Sequence, residues 1–351
     1  KWALRAELGE MADRDRITGE DSLIQGYFAP LAAGFLGAYG LDEDCAALSP
    51  EPGHDLVLKT DAIAEGVHFR SNDAPEDIAW KALAVNVSDL AAKAARPVGY
   101  LISLAFQSLP DRDWLERFSG GLRVAQERFG LVLMGGDTDR RPNAPLSVTI
   151  MAIGSVPTGR MIRRGTARAG DLVYVSGTLG DSAIGLQLYA CGPASIAAQL
   201  GETDRAFLEH RYLRPEPRLG LRDALLGYAH AAMDISDGLV KDLGRLCRAS
   251  NLAANIHADE LPISEPARRA IGLQSGLGQL PLTGGDDYEI LATVAPEHAE
   301  AFEVQARAAS IPVTRIGSMR QGSGVCVLGA DGKPVDISHA GYDHFLNTTA
   351  S

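Results

Sequence analysis

The 351-residue chain carries 33 Lys and Arg against 45 Asp and Glu, a formal charge of −12, and it has no Lys/Arg cluster able to follow a phosphate backbone, which argues against a nucleic-acid partner. Its length exceeds one comfortable core and predicts two domains of roughly 150 to 180 residues each. No apolar run approaches the ~20 residues that span a bilayer, and the first residues lack the apolar core of a signal peptide, so a cytoplasmic protein is expected.

Met11 offers an alternative start, which would leave residues 1–10 as upstream sequence. Four isolated cysteines, Cys45, Cys191, Cys247 and Cys326, form no CxxC pair and have no His at zinc spacing, which fits thiols in a reducing compartment.

In chain order, helices are expected over 21–39, 77–95, 111–129, 181–190, 237–249 and 296–309. Strands are expected at 55–60, 100–106, 131–134, 146–154, 171–177, 288–294 and 324–329, and the apolar run before Asp234 adds another. The alternation is mixed α/β throughout. The stretch VPTGRMIRRGTARAGD (156–171), with its turn formers and four arginines, reads as the connection between domains 11–155 and 156–351.

The halves echo each other. Ser88-Asp89 is followed by GGD with Asp137, 48 residues on; Ser236-Asp237 is followed by GGD with Asp286, 49 residues on. Two readings are open: related halves sharing a site, or chance recurrence of common turn dipeptides.

Asp44, Asp61, Asp89, Asp137, Asp234 and Asp237 sit beside apolar residues, mostly where a strand hands over to a turn. A single Asp there is ordinarily a helix cap worth about 1 kcal/mol. Capping does not account for two acids in MDISDG, where Asp237 or Ser236 can cap while Asp234 stays in the strand. A buried, unpaired carboxylate is costly and is normally given a partner or a cation. Oxygen-only donor sets select hard cations such as Mg²⁺, which also bridges phosphates. For Asp89, the alternative is an ordinary i, i+4 surface pair with Lys93; Asn86 on the same face and the apolar run ALAVNVSDLAA favour a site.

LVYVSGTLGDSAIGLQL (172–188) reads strand, Gly-rich turn, helix, either a plain turn or a place where backbone N–H groups meet an anion. It lacks GxGxxG spacing, and no Walker loop, protein-kinase set or GxSxG elbow is present. Arg160, Arg163 and Arg164 are candidate phosphate contacts, since a guanidinium presents a planar fork of donors.

Taken together, TDAIAEGVHF, KALAVNVSDLAAKAARP, GGDTDR, VPTGRMIRRGTARAGD, VSGTLGDSAIGL, MDISDGLVKDLGRL, LTGGDDYEIL and GYDHF resemble the thiamine-monophosphate kinases, part of an ATP-binding superfamily that includes aminoimidazole ribonucleotide synthetase. The resemblance runs from about Gly19 to Phe345. It implies an α/β (α+β), two-domain fold of the aminoimidazole ribonucleotide synthetase type, with N-terminal sheets pairing across a homodimer and a cleft for ATP and several Mg²⁺. The implied reaction is direct, in-line transfer from ATP to thiamine monophosphate.

By resemblance, Asp44, Thr60, Asp61, Asp89, Asp137, Asp234 and Asp237 form the metal shell, with Asp61, Asp89 and Asp234 central to catalysis. Gly136, Asp137, Arg164 and Ser236 contact the nucleotide, and His68, Asp286 and His339 the thiamine phosphate. Departures from the family pattern are Asp42 and Glu43 in GLDEDCA, where Gly and Asp are usual; Lys59, where a small polar residue is common; His339 at an aromatic stacking position; and Asp286 for a frequent Glu. Two rivals follow: another ATP-dependent enzyme of the superfamily, and a non-catalytic nucleotide sensor.

Overall fold

The computed structural model describes residues 19–191, 196, 199–337 and 341. Its contacts divide the described chain into two units, one of residues 19–49, Thr60–Leu83 and Val98–Ile153, the other of Pro50–Lys59, Ala84–Pro97 and residues from Gly154 onward.

A four-stranded sheet runs in the order β1-β4-β2-β3, from β1 (His54–Ala64), β2 (Arg96–Phe106), β3 (Val132–Arg140) and β4 (Ser147–Pro157). Helix α1 (Pro75–Ala92) precedes β2, and α2 (Arg112–Phe129) joins β2 to β3, which pair in parallel as a crossover requires. Local signals set the bounds of α2. Asp111 caps its start by accepting from the Trp114 amide at 2.8 Å, and Gly130 ends it at φ 72°. Leu115, Phe118, Leu122, Ala125 and Phe129 recur at helical spacing and are buried together on one face. On β2, Tyr100, Ile102 and Leu104 are buried, whereas Leu101 and Ser103 on the other face are half-buried.

The helix expected over 21–39 is broken. Short turns at Glu20–Leu23 and Ala29–Ala32 flank a wide π turn at Ile24–Phe28, and a 3₁₀ segment, Leu36–Leu41, contains left-handed Tyr39 (φ 51°) and Gly40 (φ 73°). Pro30 and the glycines at 34, 37 and 40 interrupt the hydrogen-bond ladder that an apolar period alone predicts.

The second unit holds a six-stranded sheet in the order β10-β7-β9-β5-β8-β6, made of β5 (Leu172–Ser176), β6 (Ala229–Ile235), β7 (Ala253–His257), β8 (Glu289–Val294), β9 (Val313–Arg320) and β10 (Gly324–Leu328). Both faces are covered. Val173 and Val175 of β5 join a core with Leu239, Leu243, Leu246 and Cys247, the apolar stripe of helix Leu239–Ser250. Tyr174, between them, faces the opposite core with Phe302 and Ala306 of helix Ala299–Ala308. β8 is buried along its whole length, hence its unbroken EILATV run.

Strands β7 and β9 and helices Glu202–Leu213, Arg222–Tyr228 and Glu265–Leu273 lie outside the expected elements. AANIH and VTRIGSMR are short and interrupted by polar residues, so their strand character comes from their neighbours in the sheet. Among the described residues no helix is long and apolar enough to cross a membrane.

Candidate active site

In the first unit, a cavity of about 640 Å³ is lined by Asp44, Gly136, Asp137, Ser103 and Thr138 together with apolar side chains including Leu101 and Met151. Asp44 and Asp137 are exposed carboxylates, positioned by the turn after Leu36–Leu41 and by β3. Gly136 has to be glycine, because a Cβ there would collide with the Ile102 carbonyl of the paired strand β2. Asp42, one of the departures, has an ordinary right-handed backbone (φ −94°) and accepts from Gln25 Nε2 at 2.8 Å. The left-handed positions fall earlier, at Tyr39, Gly40 and Leu41, so the turn closes without a glycine at 42.

Thr60 donates its hydroxyl to the Ile150 carbonyl at 3.0 Å, and Asp61, next on β1, is exposed. His68 Nδ1 accepts from the Ala64 amide at 3.1 Å, which places the proton of the neutral ring on Nε2.

In the second unit, Asp234 is the penultimate residue of β6 and is buried, and its Oδ2 accepts from Ser88 Oγ at 2.8 Å. Burial first, then the Asp89 negative charge, push the Asp234 carboxyl up to about 7, while the Ser88 hydrogen bond pulls the other way. Lys59 Nζ lies 2.7 Å from Asp89 Oδ2. Lys93 does not form the surface pair considered for it: its ammonium donates to the Ala232 carbonyl at 2.8 Å, and burial lowers its pKa to about 8, helped by the Arg164 charge. The Arg164 side chain is exposed.

The stretch MDISDGLVKDL folds differently from the expectation that Ser236 or Asp237 caps the following helix. The N-cap is Gly238, with no side-chain cap. Asp242, fully buried within the helix, reaches back and accepts from the amides of Ser236 at 3.0 Å and Asp237 at 2.9 Å. Asp237 instead pairs with Arg245 at 2.5 Å and Lys241 at 3.4 Å. A positive-φ Gly238 (φ 113°), a conformation glycine adopts readily, lies between these two amides and the helix that carries Asp242. The Asp286 and Tyr288 amides then donate to the carbonyls of Ser236 and Ile235, bolting the TGGDDYE turn to this one. Asp286 itself is left-handed (φ 66°), and its carboxylate accepts from the Tyr288 hydroxyl at 3.1 Å.

The Gly-rich turn after β5 does offer a backbone N–H, but to a carboxyl group of the chain itself. Gly180 N donates to Asp287 Oδ2 at 2.8 Å. Beside it, buried Glu289 accepts from Ser176, Arg211 and Arg218. Sequence reasoning passed over Asp242, Asp287 and Glu289; for Asp242 and Glu289 the available signal was a charged residue at a core-facing position of an apolar helix or strand, whereas Asp287 lies in the turn before β8. His339 and the GYDHF motif beyond Gly341 lie outside the described residues. Among the described residues, no three His, Cys, Asp or Glu side chains gather as a ready metal cage. Half-buried Asp89 and buried Asp234 offer the oxygen-only donors that suit a hard divalent cation.

Residues 42–156 match the family model "AIR synthase related protein, N-terminal domain", and residues 168–328 match "AIR synthase related protein, C-terminal domain". These two matches place the chain in the AIR synthase related class. The chain is 40% identical over 331 residues to the thiamine-monophosphate kinase of Escherichia coli K12, across 93% of this chain and 98% of that one. Among solved structures, the thiamine-monophosphate kinase of Stenotrophomonas maltophilia K279a matches at TM-score 0.76 and 40% identity, covering 84% of this chain and 91% of that one. AaThiL complexed with AMPPCP and TMP matches at TM-score 0.74 and 33% identity, covering 88% and 97%. The chain belongs to the thiamine-monophosphate kinase family.

Proposed function

We propose that this protein phosphorylates thiamine monophosphate with ATP, giving thiamine diphosphate and ADP. The observation that carries the reading is buried Asp234 beside the charge of half-buried Asp89, set in a chain collinear with thiamine-monophosphate kinases over nearly its full length. The related AaThiL complex with AMPPCP and TMP supports the choice of both substrates.

The acceptor is a phosphate oxygen, already ionised near neutral pH, so the chain has no need of a strong general base. Rate acceleration then comes from alignment and charge stabilisation. Asp89, Asp234 and Asp237 would hold Mg²⁺ in the second unit, and the same role is assigned to Asp44, Thr60, Asp61 and Asp137 in the first. Bound Mg²⁺ would supply charge neutralisation at the transferring phosphoryl group. Gly136, Asp137, Arg164 and Ser236 are assigned to the nucleotide, and His68, Asp286 and His339 to the thiamine phosphate. Residues 11–155 are taken as the nucleotide- and metal-binding domain and 156–351 as its partner, in a cytoplasmic homodimer.

The test is a coupled assay for ADP together with chromatographic detection of thiamine diphosphate. Asp234→Asn and Asp61→Asn should each lower turnover at least ~100-fold while circular dichroism stays unchanged, because each removes a charge from the metal shell. Near-wild-type turnover in both variants would sink the site. Tight ATP binding without product would favour a sensor, and turnover only with another phosphoryl acceptor would favour a sister enzyme of the class.

A further inference from the structure

Lys59 lies within β1, directly before Thr60-Asp61. Its ammonium lies 2.7 Å from Asp89 Oδ2, a full ion-pair contact with both side chains half-buried. Lys93 adds a second ammonium, fixed by its bond to the Ala232 carbonyl just ahead of Asp234 on β6. The Lys59 ammonium thus already brings a positive charge to an Asp89 oxygen. A Mg²⁺ ligand oxygen sits about 2.0 to 2.1 Å from its ion, so a divalent ion on the Asp89 oxygen would face the Lys59 charge at close range.

We propose that Lys59 is a tethered cation that takes the place of one divalent ion at Asp89, so that this chain binds one fewer metal ion than it would without the ammonium. The inference rests on reading Asp89 as a metal ligand. A built-in cation keeps Asp89 held in place before substrates arrive and removes one ion from the set that must assemble with each turnover.

The test counts Mn²⁺ bound to the metal-free full-length protein, by electron paramagnetic resonance of the free ion and by calorimetry. Lys59→Met keeps the aliphatic stem and removes the charge. It should take up one additional Mn²⁺ per chain, or bind Mn²⁺ at least tenfold more tightly, and Lys59→Arg should behave as wild type. The gain should vanish when Asp89→Asn is added to Lys59→Met. Equal stoichiometry and affinity in wild type and Lys59→Met, with Asp89→Asn weakening binding, overturns the role of Lys59 alone. Mn²⁺ binding that is indifferent to Asp89→Asn in both backgrounds overturns the metal role of Asp89, and the inference with it. Matching melting curves for wild type and Lys59→Met establish that the comparison is between folded proteins.

Discussion

Buried charge decides most of the chemistry at the scale of single residues. Glu289 is fully buried yet accepts from Arg211, Arg218 and Ser176, and removing one member of such a set typically costs about 3 to 5 kcal/mol because the rest is left uncompensated. Asp287 is held less completely: Oδ2 accepts from Gly180, Oδ1 is buried with no hydrogen-bond partner, and burial raises its carboxyl well above the usual range. With the folded value above the unfolded one, the stability given by the neutral form is present below about pH 4 and is lost as pH rises through the raised value. Asp287→Asn, uncharged throughout, should therefore show a shallower fall of melting temperature between pH 4 and 8; equal slopes would count against this assignment. Thiol chemistry separates in the same way. Burial pushes the Cys247 thiol up to about 11, whereas Cys45 is exposed. Mass spectrometry after brief alkylation at pH 7.5 should find Cys45 modified and Cys247 intact until the protein is unfolded.

Turn geometry carries the site at the scale of elements. The turn between β6 and the helix Leu239–Ser250 is fixed by a left-handed Gly238 and by Asp242 reaching backward, and the TGGDDYE turn hangs from the same backbone. A Cβ at Gly238 would lie 2.7 Å from the Thr283 carbonyl as well as in a left-handed conformation. Gly238→Ala should thus cost about 2 kcal/mol or more, read as a lower denaturant midpoint, and should impair turnover by displacing Asp234, Ser236 and Asp286 together. An unchanged midpoint would mean that the turn relaxes. The broken helix over 20–41 shows the limit of periodicity: the apolar spacing is helical, but Pro30 and three glycines redirect the backbone into a cavity wall that carries Asp44.

For the whole molecule, the four-stranded sheet shows one buried face and one face only partly covered, where Leu101, Thr149 and Met151 alternate with buried neighbours. An incompletely covered apolar sheet face suits the proposed homodimer. Sedimentation velocity should give the mass of two chains, and Leu101→Asp should shift the protein towards one; a wild-type monomer would sink the proposal. The sequence by itself determined the mixed α/β class, the helix expected over 111–129 and the strands that flank it, because periodicity, caps and turn residues are local properties, whereas Asp61 and Asp137 fall within β1 and β3 and Asp89 within α1 rather than where strands hand over to turns. It also placed Asp234 in an apolar strand, where a carboxylate demands a partner. Only the tertiary structure decided which partner: Ser88, 146 residues away, and Lys59 against Asp89. It likewise made strands of AANIH and VTRIGSMR, gave the capping role to Asp242 and filled the Gly-rich turn with Asp287. These outcomes depend on which groups are brought together out of water, and desolvation is a property of the folded surroundings rather than of neighbours in the chain.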